Sequence, residues 1–243
     1  MRIAILADIH GNRTAFEAVL ADLRLAAPDL VLHGGDLCDG GSSPAEIADR
    51  IREFGWPGVS GNTDEMLFDP ASLSAFAQQT PRFQPLLPVV EEMAAATRES
   101  LGDDRLAWLR SLPLAHVTDG FALVHASPSS RWRAPSAGAS DEDLQSVYGP
   151  LGRSVAVYGH IHTPYVRTVG GLTVANTGSV GLPYDGDRRA SYLLLDDGNP
   201  EIRRVEYDVD REIRVLYRAR VPRAEWIAAM LTAAAPQMPQ TAV

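Results

Sequence analysis

Cysteine is almost absent from this chain. Cys38 is the single cysteine among 243 residues. One cysteine cannot form an internal disulfide, so the sequence excludes a disulfide-stapled scaffold and predicts a protein of the reducing cytoplasm. Cys38 itself is interpreted as a small, buried packing residue, which is how most free cysteines behave.

Long hydrophobic runs are also missing. The apolar stretch from Trp226 to Ala235 is far shorter than the roughly 20 residues that a transmembrane helix needs. The N-terminal run Ile3–Ala7 leads directly into Asp8, for which a functional role is predicted below, so we do not expect it to be a cleaved signal peptide. No membrane partner is therefore expected.

An excess of basic residues is the third absence. Lys and Arg number 22 against 31 Asp and Glu, which gives a net charge of −9. Proteins bind nucleic-acid backbones through clustered basic side chains, so no stable nucleic-acid binding is expected. A small anionic molecule is still compatible with this charge if bound cations make the site locally positive.

What the sequence does contain is a set of seven side chains with metal-binding chemistry, each close to the end of a short apolar run. They are Asp8, His10, Asp36, Asn62, His125, His160 and His162. In Asp-x-His and in His-x-His, both donors project from the same side of an extended segment, so the two pairs can hold ions from opposite sides. The set predicts a site for two adjacent divalent cations.

The ligand types indicate which ions would bind. Imidazole nitrogens, carboxylates and an amide oxygen, without thiolate, suit borderline ions and argue against a structural zinc site. We expect Mn²⁺, with Fe, Zn²⁺ or Ni²⁺ as alternatives. A single residue of this kind is usually a helix cap or an ion-pair partner; the prediction depends on the number and order of the ligands.

The order of these residues resembles the calcineurin-like metallophosphoesterase superfamily, whose signature runs Asp-x-His, Gly-Asp, Gly-Asn-His-Asp/Glu, His and Gly-His-x-His. The matching blocks cover roughly residues 1 to 180. Ala-Asp-Ile-His-Gly-Asn, Gly-Asn-Thr-Asp and the run from Asn176 to Pro183 resemble its small bacterial and archaeal phosphodiesterase branch. The resemblance implies two ligand groups that share a bridging Asp36: Asp8, His10, Asp36 and His162 on one ion, and Asp36, Asn62, His125 and His160 on the other.

The same resemblance implies an enzyme that hydrolyses phosphodiester or phosphoanhydride bonds of small, nucleotide-type substrates. The ions would hold a bridging hydroxide for attack on phosphorus, and Asp36 and Asn62 belong to the expected catalytic set. A protein Ser/Thr phosphatase and a non-catalytic protein-interaction scaffold are the alternatives. The intact ligand set argues against the scaffold, and the modest chain length argues against the protein phosphatase. The sequence indicates no oligomeric state.

One residue departs from the superfamily pattern. Thr63 stands where many relatives have a His that is credited with protonating the leaving group, while Asp64, which would orient that His, is retained. A general acid contributes about 10²- to 10⁴-fold in rate, so we expect a preference for leaving groups that depart as stable anions. His33 is a candidate replacement acid, and a strand-end His without a catalytic role is the alternative.

Candidate substrate-binding residues lie in loops near these motifs. The Asn12 amide could donate to a phosphate oxygen, or it could cap the helix that follows. Arg131, Trp132 and Arg133 could offer a nucleotide an aromatic surface with cationic contacts, or could form an exposed loop with solvated arginines. Further candidates follow the turn at residues 178–181: Tyr184, Arg188 and Arg189.

Hydrophobic periodicity predicts alternating strands and helices in the first half of the chain and mostly strands in the second. Strands are expected at 3–7, 30–32, 121–124, 155–158, 165–169, 172–175, 192–195 and 201–209, and helices at 14–25, 43–54 and 140–148. Residues 70–113 indicate a helical, irregular insertion, and His116 is expected on an edge strand.

This order, together with the resemblance, predicts an α/β four-layer αββα sandwich, in which two mixed β-sheets pack face to face with helices outside. We expect a single domain over residues 1–235. The Pro, Gln and Thr residues of 236–243 predict a disordered tail.

Overall fold

The computed structural model describes residues 1–239. The strands are β1 (Arg2–Leu6), β2 (Leu30–His33), β3 (Ala115–Val117), β4 (Phe121–Val124), β5 (Val155–Tyr158), β6 (Tyr165–Val169), β7 (Leu172–Asn176), β8 (Ala190–Asp196) and β9 (Asn199–Val205). The α-helices are α1 (Arg13–Ala26), α2 (Pro44–Phe54), α3 (Asn62–Phe68), α4 (Pro70–Gln79), α5 (Leu87–Ser111), α6 (Asp141–Tyr148), α7 (Val209–Arg218) and α8 (Ala224–Ala233).

The strands form two sheets, of four strands in the order β2-β1-β8-β9 and of five strands in the order β3-β4-β5-β7-β6. In the first sheet β1 pairs parallel with β2 and antiparallel with β8. In the second sheet β5 pairs parallel with both β4 and β7, while β3 and β6 are antiparallel edge strands. Both sheets are therefore mixed, and His116 lies on an edge strand as predicted.

One apolar layer lies between the two sheets. Ile5 and Leu193 of the first sheet and Leu123 and Val157 of the second belong to one buried cluster. On the opposite face of the first sheet, Leu6 packs in a cluster with residues of α1, α2 and α5. On the opposite face of the second sheet, α6 packs through a separate cluster. The predicted αββα sandwich is confirmed.

Local signals in the sequence set several element boundaries. Asn12 caps α1 by accepting from the Ala15 amide at 2.9 Å, and α2 begins at Pro44 and ends at Gly55, which takes the left-handed conformation with φ 64°. Ser140 caps α6 and forms a capping box with Asp143. No helix within residues 1–239 is long and apolar enough to cross a membrane.

The insertion at residues 70–113 is helical, as predicted. It consists of α4, a 3₁₀ segment at Pro81–Leu86, and α5. α5 is interrupted at Gly102, where φ is 66°, a value that glycine adopts without steric cost. Because α3 immediately precedes α4, the insertion is connected directly to the segment that begins with the predicted ligand Asn62.

Several elements differ from the prediction. The last strand ends at Val205, not at residue 209, because Asp208 caps α7 by accepting from the Arg211 amide at 2.8 Å. α3, α7 and α8 were not predicted. In the predicted tail, the Gln237 carbonyl accepts a 2.8 Å hydrogen bond from Trp226; residues 240–243 lie outside the described residues.

Candidate metal centre

Parallel strand ends bring the predicted ligands to one edge of the sandwich. Asp8 follows β1 and Asp36 follows β2 in the first sheet, whereas His125 follows β4 and His160 follows β5 in the second. The carboxyl ends of parallel strands meet at the same edge, where α/β proteins place their sites. Asn62 instead occupies the first position of α3.

The backbone at this edge adopts an unusual conformation. Within residues 1–239, five of the ten non-glycine residues with positive φ are predicted ligands: Asp8 (57°), His10 (51°), Asp36 (54°), His160 (66°) and His162 (55°). Each such residue costs on the order of 1–3 kcal/mol, and such strain concentrates at functional sites. Backbone hydrogen bonds hold the loops in place, for example from Asp8 N to Gly35 O at 2.9 Å and from His10 N to Asp36 O at 3.0 Å.

The first ligand group is buried and compact. Its potential ligand atoms all lie within 4.8 Å of one another, on Asp8, His10, Asp36 and His162. His162 Nε2 lies 3.2 Å from Asp8 Oδ1 and 3.2 Å from His10 Nε2. None of the four residues is more than 9% exposed.

The second ligand group surrounds the Asn62 side chain. Asn62 Oδ1 lies 2.9 Å from His125 Nε2 and 2.8 Å from His160 Nδ1. Asp36 Oδ2 lies 3.5 Å from His125 Nε2 and 3.8 Å from His10 Nε2. Asp36 is thus placed between the two groups, as the resemblance implied.

Backbone carbonyls orient three of the four histidines. Nδ1 of His10 donates to Asp39 O at 2.9 Å, Nδ1 of His125 to Gly34 O at 2.8 Å, and Nδ1 of His162 to Leu182 O at 2.6 Å. A neutral imidazole that donates from Nδ1 presents a bare lone pair at Nε2. No sequence motif indicates these carbonyl partners.

In this orientation, hydrogen-bond acceptor atoms of neighbouring ligands lie against each other. The Nε2 lone pairs of His10 and His162 face each other, and that of His125 faces the Asn62 carbonyl oxygen. Such pairs repel unless a cation lies between them, and nitrogen and oxygen donors of this kind are divalent-metal ligands. The donor set therefore fits metal ions in both groups.

Burial favours the neutral imidazoles that metal binding requires. It lowers the pKa of His10, and it lowers the pKa of His160 to about 4. For His162, burial is outweighed by the Asp8 carboxylate and its other partners, which raise the pKa. Burial also raises the pKa of Asp39, which accepts from Thr97 of α5 at 2.9 Å, to about 7.

Two glycines leave room for the carboxylates. A Cβ atom at Gly61 would collide with Asp36 Oδ1, and one at Gly159 would collide with Asp8 Oδ2. These positions therefore exclude every residue with a side chain. This explains the glycines of Gly-Asn-Thr-Asp and Gly-His-Ile-His in physical terms.

Asp64 acts on the backbone beneath the centre. Its carboxylate accepts from the amides of Asp36 at 2.8 Å, Leu37 at 3.0 Å and Gly61 at 2.9 Å. Burial raises the pKa of Asp64 to about 6, and the nearby Asp36 adds to the rise. Asp64, which the sequence places in the expected catalytic set, is fully buried and does not line the cavity, so its contacts are those of a residue that positions the backbone.

The run from Asn176 to Pro183 supports the first ligand group. Ser179 Oγ donates to Asp8 O at 2.7 Å, and the Gly181 amide donates to the same carbonyl at 2.9 Å. Leu182 provides the carbonyl that orients His162. This run therefore fixes the backbone of two predicted ligands without contributing one itself.

A cavity of about 620 Å³ opens onto the centre. This volume is within the range of about 300–1,000 Å³ that is typical of small-molecule sites. His10, Asp36, Asn62, His160 and His162 lie in its lining. The remaining lining is largely apolar and aromatic, and comes from α4, the 3₁₀ segment, α5, the loop after β4, and α8.

Comparison with known proteins agrees with this geometry. A profile of the calcineurin-like phosphoesterase superfamily domain matches residues 1–199. The chain belongs to this superfamily. A crystal structure of a metallophosphoesterase from Sphaerobacter thermophilus superposes with a TM-score of 0.77 at 26% identity, covering 96% of this chain and all of that one.

Two relatives illustrate what is shared within the superfamily. An uncharacterized protein from Methanocaldococcus jannaschii is 29% identical over 93% of this chain and 95% of its own length. A symmetrical bis(5′-nucleosyl)-tetraphosphatase from Aromatoleum aromaticum is 31% identical over 60% of this chain. The chain spans about half of that enzyme, 52% of its length.

Three candidate substrate residues line the cavity of this superfamily member. Trp132 stacks on Phe76 with ring centroids 4.8 Å apart, and its Nε1 donates to Glu65 at 2.6 Å. Arg133 is exposed and lies 5.7 Å from the Phe76 ring centroid. Tyr184 also lines the cavity and stacks on His162 at 4.5 Å.

Three other predicted substrate residues are placed elsewhere. Asn12 is buried, and its amide donates to Gly181 O at 2.9 Å while its oxygen caps α1. Arg131 does not line the cavity and pairs with Glu65 at 3.0 Å. Arg189 pairs with Asp187 at 2.7 Å on the surface. Their polar groups are bound to the protein itself, which corrects their expected placement at the substrate.

His33 is also placed away from the cavity. It is fully buried near Trp108, with ring centroids 6.3 Å apart, and burial lowers its pKa to about 4. At neutral pH an imidazole with this pKa is in its neutral form, so it is not available as a cationic general acid. His33 also does not line the cavity. The predicted replacement acid is therefore corrected to a buried core residue, the alternative noted from the sequence.

Proposed function

We propose that this protein is a dinuclear, divalent-metal-dependent phosphoesterase that hydrolyses phosphodiester or phosphoanhydride bonds in small, nucleotide-type substrates. The observation that carries the proposal is that hydrogen-bond acceptor atoms lie against each other, without a donor between them, on both sides of Asp36. His10 and His162 meet at 3.2 Å on one side, and His125 and Asn62 meet at 2.9 Å on the other.

Mn²⁺ is the proposed ion, and Asp8, His10, Asp36 and His162 would hold one copy while Asp36, Asn62, His125 and His160 would hold the other. When bound, two such ions would supply Lewis-acid chemistry that lowers the pKa of water and neutralises charge on phosphoryl oxygens. The absence of thiolate from the donor set supports a hard or borderline ion over a structural zinc.

The protein's own part is to keep these donors in place. Thr63 N donates to Asp36 Oδ1 at 2.8 Å, which leaves Oδ2 turned towards the histidines of both groups. Asp64 fixes the backbone of Asp36, and the carbonyls behind the imidazoles fix their orientation. Preorganisation of this kind means that little reorganisation is needed when the phosphoryl group binds.

The lining of the cavity supports a small organic phosphate over a phosphoprotein. Aromatic side chains from two separate segments line it, and such surfaces stack on nucleobases. The tetraphosphatase relatives act, by name, on a dinucleoside polyphosphate, which supports an anhydride as one substrate of this chain. Thr63 at the position of the expected acid favours the same class, since phosphate is a good leaving group.

A substrate panel tests the proposal. The wild-type protein, loaded with Mn²⁺, should hydrolyse aryl phosphodiesters and dinucleoside polyphosphates, and chelation followed by Mn²⁺ addition should abolish and restore the activity. Cyclic nucleotides and phosphopeptides complete the panel. A preference for phosphopeptides would favour the protein phosphatase, and inactivity on every substrate with metal bound would favour the scaffold.

A further inference from the structure

The cavity has two aromatic walls that belong to different parts of the chain. The insertion wall consists of Phe76, Phe83 and Trp132, and the C-terminal wall of Tyr184, Trp226 and Met230. The insertion wall is bonded to α3, the helix that begins with Asn62, and the C-terminal wall contacts His162.

The insertion wall is attached to the Asn62 side of the centre. Trp132 donates to Glu65 of α3, the helix that begins with Asn62. Phe76 packs between Trp132 at 4.8 Å and Phe83 at 5.3 Å. Two exposed arginines of the cavity lining, Arg82 and Arg133, accompany this wall.

The C-terminal wall is attached to the His162 side. The Tyr184 ring lies parallel to the His162 ring, with an interplanar angle of 22°, and its hydroxyl lies 3.5 Å from Met230 Sδ. Trp226 and Met230 belong to α8. This helix lies beyond residues 1–199, the part of the chain that the superfamily profile covers.

α5, the last helix of the insertion, packs against α8. Met93 packs in one cluster with Ile227 and Met230 of α8, and Glu92 forms an ion pair with Arg223 at 2.6 Å just before α8 begins. The C-terminal wall is thus held over the cavity by side-chain packing, and not only by the course of the chain.

We propose that α8 supplies a second substrate-binding wall, so that the preferred substrate carries an organic group on each side of the scissile phosphorus linkage. This inference rests on the proposed function, because the metal centre between the walls would hold the phosphoryl group. A phosphomonoester has one organic group and fills one wall only. Stacking of one base contributes a factor of about 5 to 150 in affinity, so a two-sided substrate gains that factor twice.

Substrates that share a leaving group test the inference. Thymidine 5′-(p-nitrophenyl) phosphate and methyl p-nitrophenyl phosphate differ only in the group opposite the leaving group. We expect the nucleoside to raise wild-type kcat/KM by at least about 5-fold. Either Phe83→Ala or Trp226→Ala should abolish that difference, while the other variant should lower kcat/KM for both substrates through the p-nitrophenyl group.

Matched controls separate wall contacts from folding. Tyr217→Ala removes an exposed aromatic of the neighbouring helix α7, and Phe54→Ala removes one at the end of α2; both residues lie outside the cavity lining. Both controls should keep the wild-type preference for the nucleoside. Trp226→Phe, which retains a ring, should recover most of that preference, with Tm reported for every variant.

A binding measurement gives a readout without turnover. A non-hydrolysable dinucleoside methylenebisphosphonate should bind at least about 5-fold more tightly than the matching mononucleoside bisphosphonate, and Trp226→Ala should reduce that ratio to about one if α8 holds the second nucleoside. Equal affinities in the wild type, or equal effects of both wall variants on both matched esters, would overturn the inference while leaving the phosphoesterase intact. Failure of the wild type to hydrolyse any diester or anhydride would instead overturn the proposed function.

Discussion

The metal centre and the walls of the cavity are built by different forces. At the centre, side chains follow buried strands, and backbone carbonyls and left-handed backbone conformations fix their directions. The walls are formed by side chains of helices and loops whose contacts are mainly apolar and aromatic. Directional bonds tolerate little change, whereas apolar packing tolerates substitution of similar volume. The centre is thus held mainly by directional bonds and the walls mainly by packing.

The largest difference between these regions should appear with Asp36→Asn. The substitution removes the charge placed between the two ligand groups. Loss of a residue that only orients a metal ligand lowers activity about 10- to 100-fold, and we expect kcat to fall by more than this. His116→Ala, on the edge strand β3, is the control and should stay within a factor of a few. Comparable losses in both variants, measured as kcat, would mean that the centre is elsewhere.

Asp64→Asn should weaken the centre from beneath. An amide can accept fewer of the three backbone N–H groups and places its own NH₂ against one of them. We expect metal affinity to fall about 10- to 100-fold, by titration with Mn²⁺, and Tm to decrease. Asp49→Asn, which alters an exposed pair with Arg105, should change neither. Unaltered metal affinity in Asp64→Asn would remove the positioning role.

Thr63→His tests the boundary between centre and cavity. Thr63 lines the cavity, and its hydroxyl has no hydrogen-bond partner within residues 1–239. For wild type, activity on aryl phosphodiesters should fall steeply as the leaving-group pKa rises. The new imidazole should raise rates for poor leaving groups by up to about 10²-fold and change those for good ones little. A shallow dependence in the wild type would indicate that another group already donates the proton.

His33→Leu should alter acid stability and leave catalysis unchanged. Burial holds the folded pKa of His33 at about 4, below the unfolded value of 6.5. The unfolded state therefore binds more protons as the pH falls below 6.5, and stability is lost. Between pH 7.5 and 5.0 this contributes about 2 kcal/mol, so denaturant unfolding of the variant should depend less on pH. If the pH dependence of unfolding were unchanged in the variant, His33 would not be the group whose protonation destabilises the fold at acid pH.

The ligand set could be predicted because its information is local. Asp-x-His, Gly-Asn-Thr-Asp and His-x-His each place donors within a few residues, and a strand end fixes where they project. The layered fold followed from the alternation of apolar runs. The alternating pattern predicts that β9 continues to residue 209, whereas it ends at Val205. The pattern does not reveal that Asp208 caps the helix that follows.

The walls could not be predicted because their residues look like core residues. Phe76 and Trp226 lie on amphipathic helical segments, and only the tertiary arrangement decides which of them meet a cavity. The carbonyls of Gly34, Asp39 and Leu182 carry no sequence signal at all, since every residue has one. For Asn12 and Arg131 the sequence allows either a substrate contact or a structural role. Hydrogen bonds to Gly181 and Ser60, which are distant in sequence, favour the structural role.

The most direct test is the metal content and position in crystals grown with excess Mn²⁺. Anomalous scattering should reveal two ions per chain, one among Asp8, His10 and His162 and one among Asn62, His125 and His160, with Asp36 contacting both. Asp36→Asn should lower the occupancy of both positions. A wild-type crystal without bound Mn²⁺, or with one ion that Asp36 does not touch, would contradict the dinuclear centre.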